Sequence, residues 1–97
     1  RNAMLFTKHG IMNMRNEKWK YDFSPIEEDG ASFVDTLYSK AYLRHLFAAQ
    51  ELLALEIASI HNLAFYVWLS QEARKHIIDG TFASWKREML ERVTTRL

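Results

Sequence analysis

Cysteine is absent from all 97 residues, so the chain forms no disulfide and offers no thiolate to a metal ion. Nothing in that absence argues for secretion. Proline occurs once, at Pro25, and glycine only at Gly10, Gly30 and Gly80. The chain therefore has few built-in breaks, no low-complexity segment and no internal repeat. No uninterrupted apolar run reaches the ~18 to 20 residues of a membrane span. Residues 1–10 also lack the apolar stretch of a signal peptide, and we expect a soluble, cytoplasmic chain with no membrane partner. Charge of one sign is lacking too: 13 Lys and Arg against 12 Asp and Glu leave a net charge of +1. Composition alone gives no polyanion-coating surface, and a nucleic-acid role must rest on local placement of basic groups. No DNA partner is expected.

What is present is apolar and prone to helix. Hydrophobic residues make up 48% and aromatics 13%, which excludes a disordered tail. The length allows one domain with one small core. Most apolar mass lies between Tyr38 and Leu69, a stretch without Gly or Pro. If Tyr38 to Gln50 is one helix, Leu43, Leu46 and Phe47 share a core face, while Tyr38, Tyr42 and His45 form an aromatic stripe at i, i+4, i+7. Asp35, Thr36 and Ser39 are candidate N-caps for it. A second helical piece is expected from about Gln50 to Ala58. A third, capped by Ser59 or Asn62, is expected to run to Ile78, with Asp79-Gly80 as its stop. Thr81 caps a last helix that places Phe82, Trp85, Met89 and Val93 on one face. Ahead of the helices, Met4 to Thr7 and Ile11 to Met14 read as two strands closed by Lys8-His9-Gly10. Asn16 to Asp22 reads as a short helical turn or irregular segment. Pro25 opens a polar loop to Gly30, in which Glu27, Glu28 and Asp29 are expected to be solvated.

The pairing of Tyr38-Ser39-Lys40-Ala41-Tyr42-Leu43, then His45-Leu46, with Ile60-His61-Asn62-Leu63 resembles the C-terminal region of bacterial queuine tRNA-ribosyltransferases, the tRNA-guanine transglycosylases. Phe6-Thr7, Asn13 to Asn16 and Asp22-Phe23-Ser24-Pro25-Ile26 extend the resemblance over nearly the whole chain. It implies a mainly α fold with a small β-hairpin, the C-terminal helical subdomain of a (β/α)8-barrel enzyme. Residues 1–23 would be the hairpin and connection leaving the barrel, and residues 24–97 the helical subdomain. Two readings of Arg1 to Met4 stay open: a cloning remnant before a Met4 start, or part of the family's Arg-Asn-Gly-x-x-Phe-Thr element in a longer protein. The unbroken match into Phe6 and Thr7 favours the second.

The resemblance also assigns residues. Family members bind a structural zinc through Cys-x-Cys-x-x-Cys and the histidine of Ile-His-Asn. Here Gly30, Ser32 and Asp35 stand at the cysteine positions and only His61 remains. One imidazole and one carboxylate do not reproduce a thiolate site, so no cofactor is expected and the zinc is expected to be lost. His61, at the start of its helix, would hold the Ser32 to Asp35 loop by its ring nitrogens, with Phe33 and Val34 filling the space. Tyr38, Tyr42 and His45 match an aromatic cluster at the family's homodimer interface. Arg1 matches an arginine that reads a base beside the target guanine of tRNA. The family's aspartate nucleophile lies upstream of the matched segment, so no catalytic residue is expected among these 97. His9, His45, His61 and His76 have no nucleophilic partner at a recognisable spacing.

The expected role is thus a C-terminal part of a base-exchanging tRNA enzyme of queuosine biosynthesis, supplying RNA-binding surface and dimer contacts and inactive alone. Arg15, Lys8, Lys18, Lys20, Lys40 and Arg44 are the basic groups available to flank an RNA backbone. The alternatives are a free-standing helical interaction module or a small helical RNA binder.

Overall fold

The computed structural model describes residues 3–97. Strands β1 (Met4–Thr7) and β2 (Gly10–Asn13) form an antiparallel hairpin with Leu5 opposite Met12 and Phe6 opposite Ile11. Thr7 locks the turn: its hydroxyl donates to the Gly10 carbonyl at 2.8 Å and accepts from the His9 and Gly10 N–H groups at 3.1 Å. A single 3-10 turn, Glu17–Trp19, follows, with Asn16 as its cap and the Trp19 indole donating to the Asn13 carbonyl at 3.0 Å. Four helices complete the chain: α1 (Val34–Leu37), α2 (Lys40–Ala48), α3 (Leu52–Asp79) and α4 (Phe82–Val93). The fold is mainly helical with one small hairpin.

Three helix boundaries follow local chemistry. Ser39 caps α2 through its hydroxyl, which accepts from the Tyr42 N–H at 3.1 Å, the arrangement that satisfies an otherwise unpaired first-turn donor. Gln50, at φ 58°, ends α2 in the left-handed region. Gly80, at φ 76°, ends α3, with its N–H and that of Thr81 closing on Ile77 and His76, as a glycine beyond a helix end does. Other expectations change. Tyr38 lies before α2 in extended conformation, because the Ser39 cap starts the helix at Lys40. Residues 52–79 form one helix rather than two: without Gly or Pro nothing interrupts the ladder, and the side chain of Asn62 is used on β1 instead of capping. Thr81 precedes α4 without capping it, since its hydroxyl is paired with His76 Nδ1 at 2.7 Å.

One core joins hairpin and helices. Leu5, Met12, Met14, Trp19, Ile26, Val34, Leu43, Leu46, Phe47, Ala54, Ile57 and Ala58 are buried together. On α3 the buried residues Ala54, Ile57, Ala58, His61 and Phe65 recur at helical spacing and form the stripe facing β1 and α2. Beyond Phe65 the helix runs out of core, and with α4 it extends the molecule to 46 × 23 × 21 Å. The radius of gyration, 14.2 Å, exceeds the roughly 12.5 Å of a compact chain this long. Against the expectation from uninterrupted runs, α3 is long and apolar enough to cross a membrane, with mean hydropathy 1.5 over eighteen residues. The averaged window tolerates Ser59, His61 and Asn62, which the run-based reading treated as breaks. Those last two polar side chains lie mid-helix and are committed to β1.

The end of the chain closes the sheet. Thr95 to Leu97 lies along β2, with the Ile11 N–H donating to the Thr95 carbonyl at 2.7 Å and the Leu97 N–H to the Ile11 carbonyl at 2.9 Å. Gly10, at φ 148°, lets this happen: a β-carbon there would overlap the Thr95 carbonyl oxygen and stand 3.0 Å from Leu97 Cγ. Gly10→Ala is expected to cost about 2 kcal/mol or more, read as a lower urea midpoint; an unchanged midpoint would show that the tail does not hold β2.

Candidate functional site

Two features have the density of polar or aromatic groups that function requires: a buried ionisable cluster under the loop before α1, and an aromatic face on α2. The cluster is built from three elements. Asp35 on α1 and His61 on α3 are each 1% exposed, and their side chains bond through Oδ1 and Nδ1. The other Asp35 oxygen accepts from the Ser32 N–H at 3.1 Å. His61 Nε2 faces the Phe6 carbonyl of β1 at 2.9 Å. Glu27, 6% exposed, accepts from the Lys8 N–H at 3.0 Å, and its carboxylate lies within 4.8 Å of the Asp35 and His61 donor atoms. Among the described residues no buried side-chain nitrogen or oxygen lacks a partner.

The neighbouring residue Asn62 completes the hold on β1. Its amide oxygen accepts from the Phe6 N–H and its nitrogen donates to the Met4 carbonyl, both at 3.0 Å. Consecutive residues on α3 therefore satisfy three backbone groups on the outer edge of β1. An edge strand leaves such groups unpaired, and burying them unpaired is costly.

His61 does hold the loop as the sequence suggests, but from the tenth position of α3 and not from its start. Of the pair expected to fill the loop, Val34 is buried while Phe33 is 68% exposed. Glu27 is buried, not solvated, because its carboxylate is drawn inward by the Lys8 N–H at the hairpin turn. Sequence reasoning missed Glu27 and Asn62 alike. The Ile-His-Asn motif was the available signal for Asn62, while nothing distinguished Glu27 from its acidic neighbours.

The residues present do not fit a thiolate zinc site. Gly30 has no side chain, and a β-carbon there would overlap the Asp35 carboxyl, coming within 2.7 Å even of Asp35 Cβ. The Ser32 hydroxyl accepts from the Val34 N–H at 3.3 Å. Both His61 ring nitrogens are engaged within the protein.

On α2 the Tyr38 and Tyr42 rings stack at 5.6 Å with planes 11° apart. Tyr38 is half-buried against the core, Tyr42 is 43% exposed, and His45 is exposed one turn on. The structure brings the two tyrosines together and leaves His45 beside them without a stacking partner among the described residues. Basic groups gather near the 3-10 turn: Lys18 and Lys40 lie over Trp19, Arg15 over Phe47, and Arg44 Nε donates to the Asn16 carbonyl at 3.3 Å. Lys8 is set apart, over Trp68. Arg1 lies outside the described residues.

Burial disfavours a charged His61 ring, but the hydrogen bond and charge of Asp35, the Phe6 carbonyl and the Glu27 charge outweigh it and hold its pKa above the usual 6.5. Burial raises Glu27 above the ordinary 4.5, offset in part by the Lys8 N–H and His61. Each group thus holds its proton more tightly folded than unfolded. That stabilisation is complete below the unfolded pKa and is lost as pH rises through the folded one. Urea unfolding should show stability falling as pH rises above about 6.5, with a shallower fall in His61→Gln. A flat profile in the unaltered chain would contradict this.

The profile of the family described as queuine tRNA-ribosyltransferase matches residues 1–95. The queuine tRNA-ribosyltransferase of Helicobacter pylori (strain ATCC 700392 / 26695) is 47% identical over 96 residues, covering 99% of this chain and 26% of the relative. That of Helicobacter acinonychis (strain Sheeba) is 48% identical over 94 residues, 97% of this chain and 25% of the relative. That of Aquifex aeolicus (strain VF5) is 41% identical over 97 residues, 100% of this chain and 26% of the relative. The chain spans about a quarter of the length of the curated relatives it matches, corresponding to a C-terminal region of the enzyme. With a profile match over nearly every residue, the chain belongs to the queuine tRNA-ribosyltransferase family.

Proposed function

We propose that the chain serves as a C-terminal part of a tRNA-guanine transglycosylase, which exchanges guanine at the anticodon wobble position for a queuine precursor base, and that it contributes dimer contacts and RNA-binding surface without catalysing exchange itself. The observation that carries the dimer role is the Tyr38–Tyr42 stack. The inner face of α2 is spent on Ala41, Leu43, Leu46 and Phe47, so Tyr42 and His45 point away from the core. Exposed aromatic anchors bury much area at little entropic cost, which suits an isologous contact. The extended shape and the exposed apolar residues Leu63, Tyr66 and Val67 on α3 support a unit that lies against further protein. Exposed apolar groups at this density are unusual on a lone domain.

The RNA role is supported by Arg15, Lys18, Lys20 and Arg44 around the 3-10 turn and α2. Lysine and arginine there can neutralise phosphates while the base-exchange chemistry is performed upstream. In the complete enzyme, Tyr42→Ala is expected to weaken the dimer about 30-fold, the effect of losing a ~2 kcal/mol anchor. Sedimentation equilibrium reads it, and an unchanged association constant would remove this face from the dimer. Reversing Lys18 and Arg44 to Glu should weaken tRNA binding by the complete enzyme and flatten its salt dependence. Unchanged binding would remove the basic group, while tight, salt-dependent tRNA binding by the 97 residues alone would favour a self-sufficient RNA binder.

A further inference from the structure

We propose that Gly30, Asp35 and His61 form an interlocked, metal-free cross-link that does the structural work of the family's zinc: the Asp35 carboxyl occupies the space a side chain at position 30 would need and bonds His61 across to α3.

The argument is steric first. A β-carbon at Gly30 would overlap the Asp35 Oδ2 and Cγ and approach Asp35 Cβ to 2.7 Å. Contacts that short do not occur between unbonded carbons, and the groups on either side are backbone and a fully buried carboxyl with no room to withdraw. A cysteine at position 30 and an aspartate at position 35 therefore exclude one another. The two departures from the metal-binding pattern form one matched change.

The second part is hydrogen-bond accounting. A tetrahedral thiolate site joins a loop to a helix by four strong bonds to one ion. Here the same loop is joined by bonds that run directly between its own groups. Asp35 Oδ2 holds the Ser32 N–H within the loop, and Asp35 Oδ1 holds His61 on α3. His61 Nε2 then carries the connection to the Phe6 carbonyl of β1. With an acceptor at each ring nitrogen, one proton lies between Asp35 and His61 and another on Nε2, in the position where a cation would otherwise sit. Glu27 brings a further carboxylate to the cluster, itself held by the Lys8 N–H. No buried side-chain polar atom among the described residues is left for an ion to satisfy.

Two measurements on the purified chain decide this. The first is a cycle of Gly30→Ala, Asp35→Ala and the double variant, followed by thermal unfolding. Gly30→Ala is expected to lower the midpoint by at least about 5 °C in the unaltered chain and to change it little once Asp35 is alanine, since the obstructing carboxyl is gone. Equal penalties in both backgrounds would overturn the interlock. Asp35→Ala itself removes one partner of a buried pair and should lower the midpoint by more than about 10 °C. If that variant does not fold, Asp35→Ser gives the same test with a shortened polar side chain.

The second measurement needs no destabilised variant: elemental analysis of chain purified without chelator, and its midpoint with and without EDTA. We expect substoichiometric zinc and an EDTA-independent midpoint. The combined Gly30→Cys, Ser32→Cys, Asp35→Cys chain should instead take up one zinc and become EDTA-sensitive. Stoichiometric metal in the unaltered chain, held by Glu27, Asp35 and His61, would overturn the proposal. Failure here would leave the dimer and RNA roles untouched, because neither is read from metal content.

Discussion

The outer edge of β1 is the constraint to which the rest of the structure answers. A two-stranded hairpin is marginal by itself, and each of its edges presents backbone groups that must be paired once buried. The chain meets the two edges differently. On the β2 side the C-terminal tail supplies backbone, through Ile11 with Thr95 and Leu97. On the β1 side α3 supplies side chains, with His61 on the Phe6 carbonyl and Asn62 on the Phe6 N–H and Met4 carbonyl. Without a third strand to add, adjacent helix residues stand in for one.

That grip sets the position of everything around it. Once His61 is turned toward β1 by Nε2, its Nδ1 points to the loop before α1 and receives Asp35. The loop is thereby fixed over the hairpin, with Glu27 meeting the Lys8 N–H at the turn. Fixing the loop orients α1 and the Ser39 cap, and hence the face that α2 gives to the core. Leu43, Leu46 and Phe47 turn inward, and Tyr42 and His45 are left outward. The aromatic face that supports the dimer reading is thus a consequence of the same polar cluster that anchors the hairpin.

Much of this was legible where the deciding forces are local. The hairpin turn follows from Lys8-His9-Gly10, the start of α2 from Ser39 and the end of α3 from Gly80, each needing only a few neighbouring residues. The partnership of His61 with the loop was legible through the family resemblance. What escaped was set by distant chemistry. Asn62 looks like a helix cap in sequence and is spent on a strand 56 residues away; Glu27 looks solvated and is buried by a backbone N–H 19 residues away. The last residues read as the end of a helix, yet α4 stops at Val93 because Thr95 to Leu97 is recruited as a partner for β2. The continuity of α3 was missed for the opposite reason: possible caps at Ser59 and Asn62 were given more weight than the absence of any true breaker.

If helix side chains hold the β1 edge without help from a metal, the Phe6 amide, bonded to Asn62 Oδ1, is where this shows most directly. Hydrogen exchange followed by NMR should find that amide protected to near the level of global unfolding, with the same protection in EDTA. Exchange at the rate of an open strand edge, or protection that disappears when metal is removed, would contradict the account.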